Sequence, residues 1–170
     1  MTEAFPRAAI MLVTEPITVN YGQVLANLAN IDRPGLIWND QNTAQGFAYN
    51  PGIASFAVPD HDGNCLLEVD LDADAAHLQT EASLWSIEVP FDATETQVEV
   101  GTVLDDRPFG IALGPHRLVF EAHPQRVADG VTYTYVLRFL FIKSDQQTFA
   151  ILKQGSLSSG TVLTITAERA

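Results

Sequence analysis

A single cysteine, Cys65, stands among 170 residues, which excludes an internal disulfide framework and any zinc site built from several thiolates. Its setting, Asn64-Cys65-Leu66-Leu67, is an apolar strand-like run, so the thiol is expected in the core. Cations are scarce as well: 9 Lys and Arg against 21 Asp and Glu give a formal net charge of -12. Phosphate affinity is carried by Lys and Arg, so direct binding of nucleic acid is not expected, and a basic protein is the partner that this charge attracts. No apolar run approaches the ~20 residues of a membrane-spanning helix. Ala8 to Val13 is too short for a secretory core and follows Glu3 rather than a cationic segment. No membrane insertion and a cytoplasmic location are therefore expected.

Catalytic punctuation is also missing. There is no G-x-S-x-G elbow and no glycine loop suited to phosphates. The histidines, His61, His77, His116 and His123, make no H-x-H or H-x-x-x-H spacing. His116 and His123 are seven apart on one apparent strand, so they project from opposite faces and cannot share a metal. Surface histidines without a catalytic or metal role are the expectation, together with no cofactor and no enzymatic activity.

What the chain does have is short strands punctuated by turns. From Ile87 to Ala122, apolar residues alternate with polar or small ones through Val89, Phe91, Val98, Val100, Phe109, Ile111, Leu118 and Phe120. Asp92-Ala-Thr, Asp105-Asp106 and Gly114-Pro115 break the run, which reads as a β-meander at the centre of the fold. Ile17 to Tyr21 starts a strand, whereas Val24 to Ile31 fits strand or helical turn. Asn50-Pro51-Gly52 marks a hairpin between Phe47–Tyr49 and Ile53–Val58. Ala73 to Leu78 is the one credible helical turn in the middle of the chain. Val131 to Ile142 reads as a single long buried strand, rich in β-branched and aromatic residues. The expected fold is all-β: a single-domain antiparallel β-sandwich over residues 1–170 with little helix, a lead at 1–15 and an extra C-terminal hairpin at 144–170.

The candidate contacts are carboxylates. Glu68, Asp70, Asp72 and Asp74 alternate with Leu67, Val69, Leu71 and Ala73, so in a strand they share one face at about 7 Å spacing. The plainer interpretation is a solvated strand face or a charged edge that resists sheet pairing. The functional one is an acidic rail for a basic partner, with Asp40 in a polar loop and Asp105 and Asp106 in a turn as further partner-binding candidates. A calcium loop is a further alternative, because Asp70, Asp72, Asp74 and Glu81 hold EF-hand positions 1, 3, 5 and 12. Against it, Ala75 stands where that loop needs glycine. Glu88 with Glu99 could serve a sandwich hydrolase if they converged. Trp38, Tyr49 and Trp85 could stack a sugar, although core packing is the default for each.

Several segments together resemble a known family. They are Ile17-Thr-Val-Asn-Tyr21, Ile37-Trp-Asn-Asp40, Gln45-Gly-Phe-Ala-Tyr49 with Ala54-Ser-Phe-Ala57, and Val89-Pro-Phe91. Val98-Glu-Val-Gly-Thr-Val103, Phe109-Gly-Ile-Ala-Leu113 and Gly114-Pro-His-Arg-Leu118 continue the series. In this order, over roughly residues 16–142, the chain resembles the competence protein J family, inhibitors of the DNA-entry nuclease of competent bacteria. The resemblance implies a small non-enzymatic protein that binds and blocks a basic nuclease, as a competence inhibitor or as the immunity protein of a nuclease toxin. It pins no contact residue. The alternative is a calcium- or carbohydrate-binding β-sandwich domain.

Overall fold

Period-two alternation becomes two stacked sheets in the computed structural model, which describes residues 12–58, 63–102, 104–155, 157 and 162–170. The strands are β1 (Leu12–Val19), β2 (Gln23–Leu28), β3 (Phe47–Asn50), β4 (Ile53–Ala57), β5 (Gly63–Ala73), β6 (Trp85–Ala93) and β7 (Gln97–Thr102). They continue as β8 (Asp105–Gly110), β9 (Gly114–His123), β10 (Arg126–Ala128), β11 (Val131–Tyr133), β12 (Val136–Lys143) and β13 (Ala150–Lys153). One sheet has the order β1-β5-β12-β9-β6-β13, the other β3-β4-β2-β7-β8, and β10-β11 is a separate small hairpin. Among the described residues helix is confined to α1 (Asp40–Gln45) and a 3-10 turn at Ala75–His77. The all-β sandwich is as expected, with one departure from the antiparallel rule: β12 pairs in parallel with β5.

The core lies between the sheets. Phe56 of β4 stacks on Phe120 of β9 at 4.6 Å between ring centroids and meets Phe139 of β12 edge-on at 5.7 Å. Such offset and edge contacts add to the area that the rings bury. Cys65 is fully buried on the same inner face, and burial pushes its thiol pKa up to about 11. Two edges meet where Arg107 of β8 donates from Nε to Glu15 of β1 at 2.8 Å. Pro16 and Pro108 lie in these edge strands, where a residue without an N–H blunts further pairing.

Four expectations are corrected. The expected meander is split between the sheets: β6 pairs with β9, while β7 and β8 cross to the other sheet between them. Val131 to Ile142 is not one strand, because β11 turns back onto β10 before β12 begins. Among the described residues the two arms of the expected C-terminal hairpin are not paired: β13 pairs with β6, and Ala167 donates its N–H to the carbonyl of Tyr49 in β3. Residues 156 and 158–161 of the expected turn lie outside the described residues. Tyr21 leaves strand geometry, with φ 61° followed by Gly22 at 63° in the turn from β1 to β2.

Candidate protein-binding surface

The register across the six-stranded sheet places Glu68, Arg138, Glu121 and Ser86 in one row on its outward face. That face is covered rather than open. The chain after β5 passes over it, and the N–H of Gln79 donates to Glu121 Oε2 at 2.8 Å. Arg126 of β10 reaches Glu68 Oε2 from Nη1 at 2.7 Å. Arg138, with a side chain 8% exposed, bridges the row: Nη1 lies 2.6 Å from Glu121 Oε1 and Nε 3.2 Å from Glu68 Oε1. His123 donates from Nε2 to the same Glu121 oxygen at 2.9 Å. Burial alone would raise the pKa of Glu121, but the bonds from His123, the Gln79 N–H and Arg138 together hold it below the ordinary value.

The acidic row therefore splits, and the expectation of four solvent-facing carboxylates is corrected. Glu68 and Asp70 are buried, whereas Asp72 and Asp74 are exposed. Asp70 accepts from the N–H of Asp72 at 3.1 Å and lies 3.2 Å from His77 Nδ1. Asp74 caps the 3-10 turn through the N–H of Ala76 at 2.7 Å. The physical reason is that both faces of β5 are covered, so alternation does not sort core from solvent. Asp40, in the first turn of α1, and Asp106, beside the turn from β7 to β8, are exposed, and Asp105 is half-buried and bound to Arg107.

These candidates do not form one patch. Asp72, in the last residues of β5, and Asp74, just after it, lie at the end of β5 where β1 begins, since Leu12 pairs with Asp70. Asp105 and Asp106 lie near the far end of β1, because β1 turns into β2 and β2 pairs with β7 at Leu25 and Gly101. The length of β1 separates the two groups by roughly 20 Å.

The excess of acids, 21 against 9 Lys and Arg, sets the sign of the surface, and internal pairing engages four of the arginines. Arg107, Arg117, Arg126 and Arg138 all bind the protein's own carboxylates. Arg117 grips Glu88 with both Nε and Nη2 at 2.9 Å. Lys153 donates to the carbonyls of Glu81 and Ser83. Exposed Asp32, Asp40, Asp72, Asp74, Glu81 and Asp106 carry no ion pair among the described residues. Sequence reasoning missed Arg138, Glu121 and Arg117, whose partners are set by long-range register. The surface that remains is anionic.

The alternatives lose their geometry. Asp70 to Glu81, spaced like a calcium loop, spans the end of a strand and a 3-10 turn, with Asp70 turned inward. No group of three or more His, Cys, Asp or Glu among the described residues is placed to hold a metal. Glu88 lies on the outward face of one sheet, and Glu99 on the other sheet meets Asn27 at 3.4 Å, so the two do not converge. Trp85 is in the core against Tyr135, and Tyr49 packs edge-on to Phe149 at 5.0 Å. His116 and His123 are buried, contrary to the surface placement expected, while His61 lies outside the described residues.

Fold and surface together define an all-β sandwich that pairs four of its arginines internally and presents carboxylates to solvent. The chain belongs to the competence protein J family, whose family model matches residues 16–142, from within β1 to within β12. Among solved structures it is similar to the crystal structure of ComJ from Bacillus subtilis, described as an inhibitor of the DNA degrading activity of NucA. That match has a TM-score of 0.67 and 16% identity, and covers 78% of this chain and 96% of the other. No curated protein matches the sequence.

Proposed function

We propose that the chain binds and inhibits a basic nuclease of the competence DNA-entry type, acting in the cytoplasm and catalysing no reaction itself. The observation that carries this proposal is the anionic surface, with exposed carboxylates that carry no ion pair among the described residues, on a chain of the competence protein J family. A nuclease needs a cationic groove for DNA, and carboxylates can occupy positions that phosphates would take. The similar ComJ structure, described as that of a nuclease inhibitor, supports the same class of partner.

The test is binding of the purified chain to the NucA-type nuclease of its source organism across a salt series. Screening shortens from roughly 10 Å at 0.1 M to about 3 Å at 1 M salt, so association should slow steeply over that range. Absence of a complex at 0.05 M salt contradicts the proposal.

A further inference from the structure

The turn from β1 to β2 carries an unusual residue. Tyr21 and Gly22 both have positive φ, 61° and 63°, and Asn20 bridges to Gln23 across them. A two-residue hairpin of this shape favours Asn, Asp or Gly at its first central position, because a Cβ there crowds the backbone. The same chain obeys that preference at Asp129-Gly130, with φ 52° and 76°. At the first turn it holds a tyrosine in the strained conformation, and the residue is 74% exposed. Strain held in place by the surrounding structure is a mark of functional positions.

A second exposed apolar residue lies beside it. Leu104, 70% exposed, is in the turn from β7 to β8, adjacent to the first turn because β2 pairs with β7. Asp105 and Asp106 follow at once. Arg107 fixes this corner, bound to Glu15 of β1 and to Asp105. An aromatic and an aliphatic side chain on two adjacent turns, flanked by carboxylates, match the anchor-and-rim pattern of a protein interface, in which tyrosine is over-represented among the residues that matter most. Cationic partner surface is complementary to the flank, and the anchor is already held for binding.

We propose that Tyr21 and Leu104 are the apolar anchors of the nuclease interface, with Asp106 steering the cationic rim of the nuclease groove toward them. This rests on the inhibitor function proposed above. Neither residue stood among the carboxylate candidates read from the sequence.

Tyr21→Asn removes the ring while supplying a residue that the turn prefers. The variant, Leu104→Ser, Asp106→Lys and the control Val127→Ser are compared with the parent chain by thermal unfolding, sedimentation and kinetics of binding to the source organism's NucA-type nuclease. Tyr21→Asn should unfold at the same or a higher temperature, yet bind about 30-fold or more weakly through faster dissociation. Leu104→Ser should weaken binding in the same way. Asp106→Lys should slow association roughly tenfold at low salt and little at 1 M. Val127→Ser, on the separate β10–β11 hairpin, should stay within about twofold of the parent. If the parent binds and the Tyr21 and Leu104 variants bind equally well, the anchor is refuted and the inhibitor function stands. If the parent forms no complex, both fall. A change in self-association with unchanged nuclease binding assigns the turns to a second copy of the chain and overturns the proposal.

Discussion

Replacing Arg138 with Met tests whether the covered face of the six-stranded sheet is held by its charge row. The Arg138 side chain is 8% exposed and stands between Glu68, 8% exposed, and Glu121, at 0%. Met keeps the apolar stem but removes the cation. Glu68 retains Arg126, and Glu121 retains His123 and the N–H of Gln79. Removing one member of a buried ionic set costs about 3–5 kcal/mol, because the partners stay desolvated. For an m-value of roughly 2–3 kcal/mol/M, the urea midpoint should fall by about 1–2.5 M. Adding Glu121→Gln should recover part of the loss, since the uncompensated charge goes with it. The pH dependence has a definite sign. The carboxyl pKa of Glu121 is held below 4.5, so its contribution is present above that value and is lost as pH falls through the lowered folded pKa. The gap between Arg138→Met and the parent should therefore narrow in acid. A midpoint shift below about 0.3 M at neutral pH would refute the reasoning.

Other substitutions separate buried from exposed carboxylates. Asp72→Lys should change stability by less than about 0.5 kcal/mol, whereas Asp70→Lys, beside Arg138 in the same depression, should lose roughly 3 kcal/mol or more in urea unfolding. Gly101→Ala should cost about 2–4 kcal/mol, because φ is 151° and a Cβ would overlap the Asp105 carbonyl oxygen and lie 2.8 Å from Asp106 Cα; thermal unfolding reads it. Burial pushes the pKa of His116 below its ordinary 6.5; Lys143 adds to this, while the Gly114 carbonyl and Asp92 oppose it. Its ring should titrate below 6.5 by NMR with Nδ1–H donating to Gly114, and its share of stability should fall as pH drops below 6.5.

Local chemistry was legible in the sequence and long-range register was not. Asn50-Pro51-Gly52 announced the hairpin of β3 and β4, and the alanines after Ala73 announced the 3-10 turn. The alternation around Glu68 announced a strand but not its surroundings. Glu68 and Asp70 read as solvent-facing because nothing near them says that Arg126, 58 residues on, and Arg138, 70 residues on, return to the same face. The meander failed for a related reason. Asp92-Ala-Thr marks a reversal, but cannot say whether the next strand joins the same sheet or crosses to the other. Tyr21 was hidden by its own residue type, since an aromatic at the end of Ile17 to Tyr21 reads as strand and only Gly22 after it hints at the turn.

The central claim is inhibition through a complex, and a titration of nuclease activity tests it most directly. The purified chain is added in steps to the source organism's NucA-type nuclease digesting linear DNA at low salt, with DNA in large excess over both proteins. The predicted result is loss of cleavage that tracks the molar ratio of chain to nuclease. It should weaken as salt rises, and the chain alone should leave the DNA intact and unbound. Undiminished cleavage at a large molar excess of the chain would contradict it.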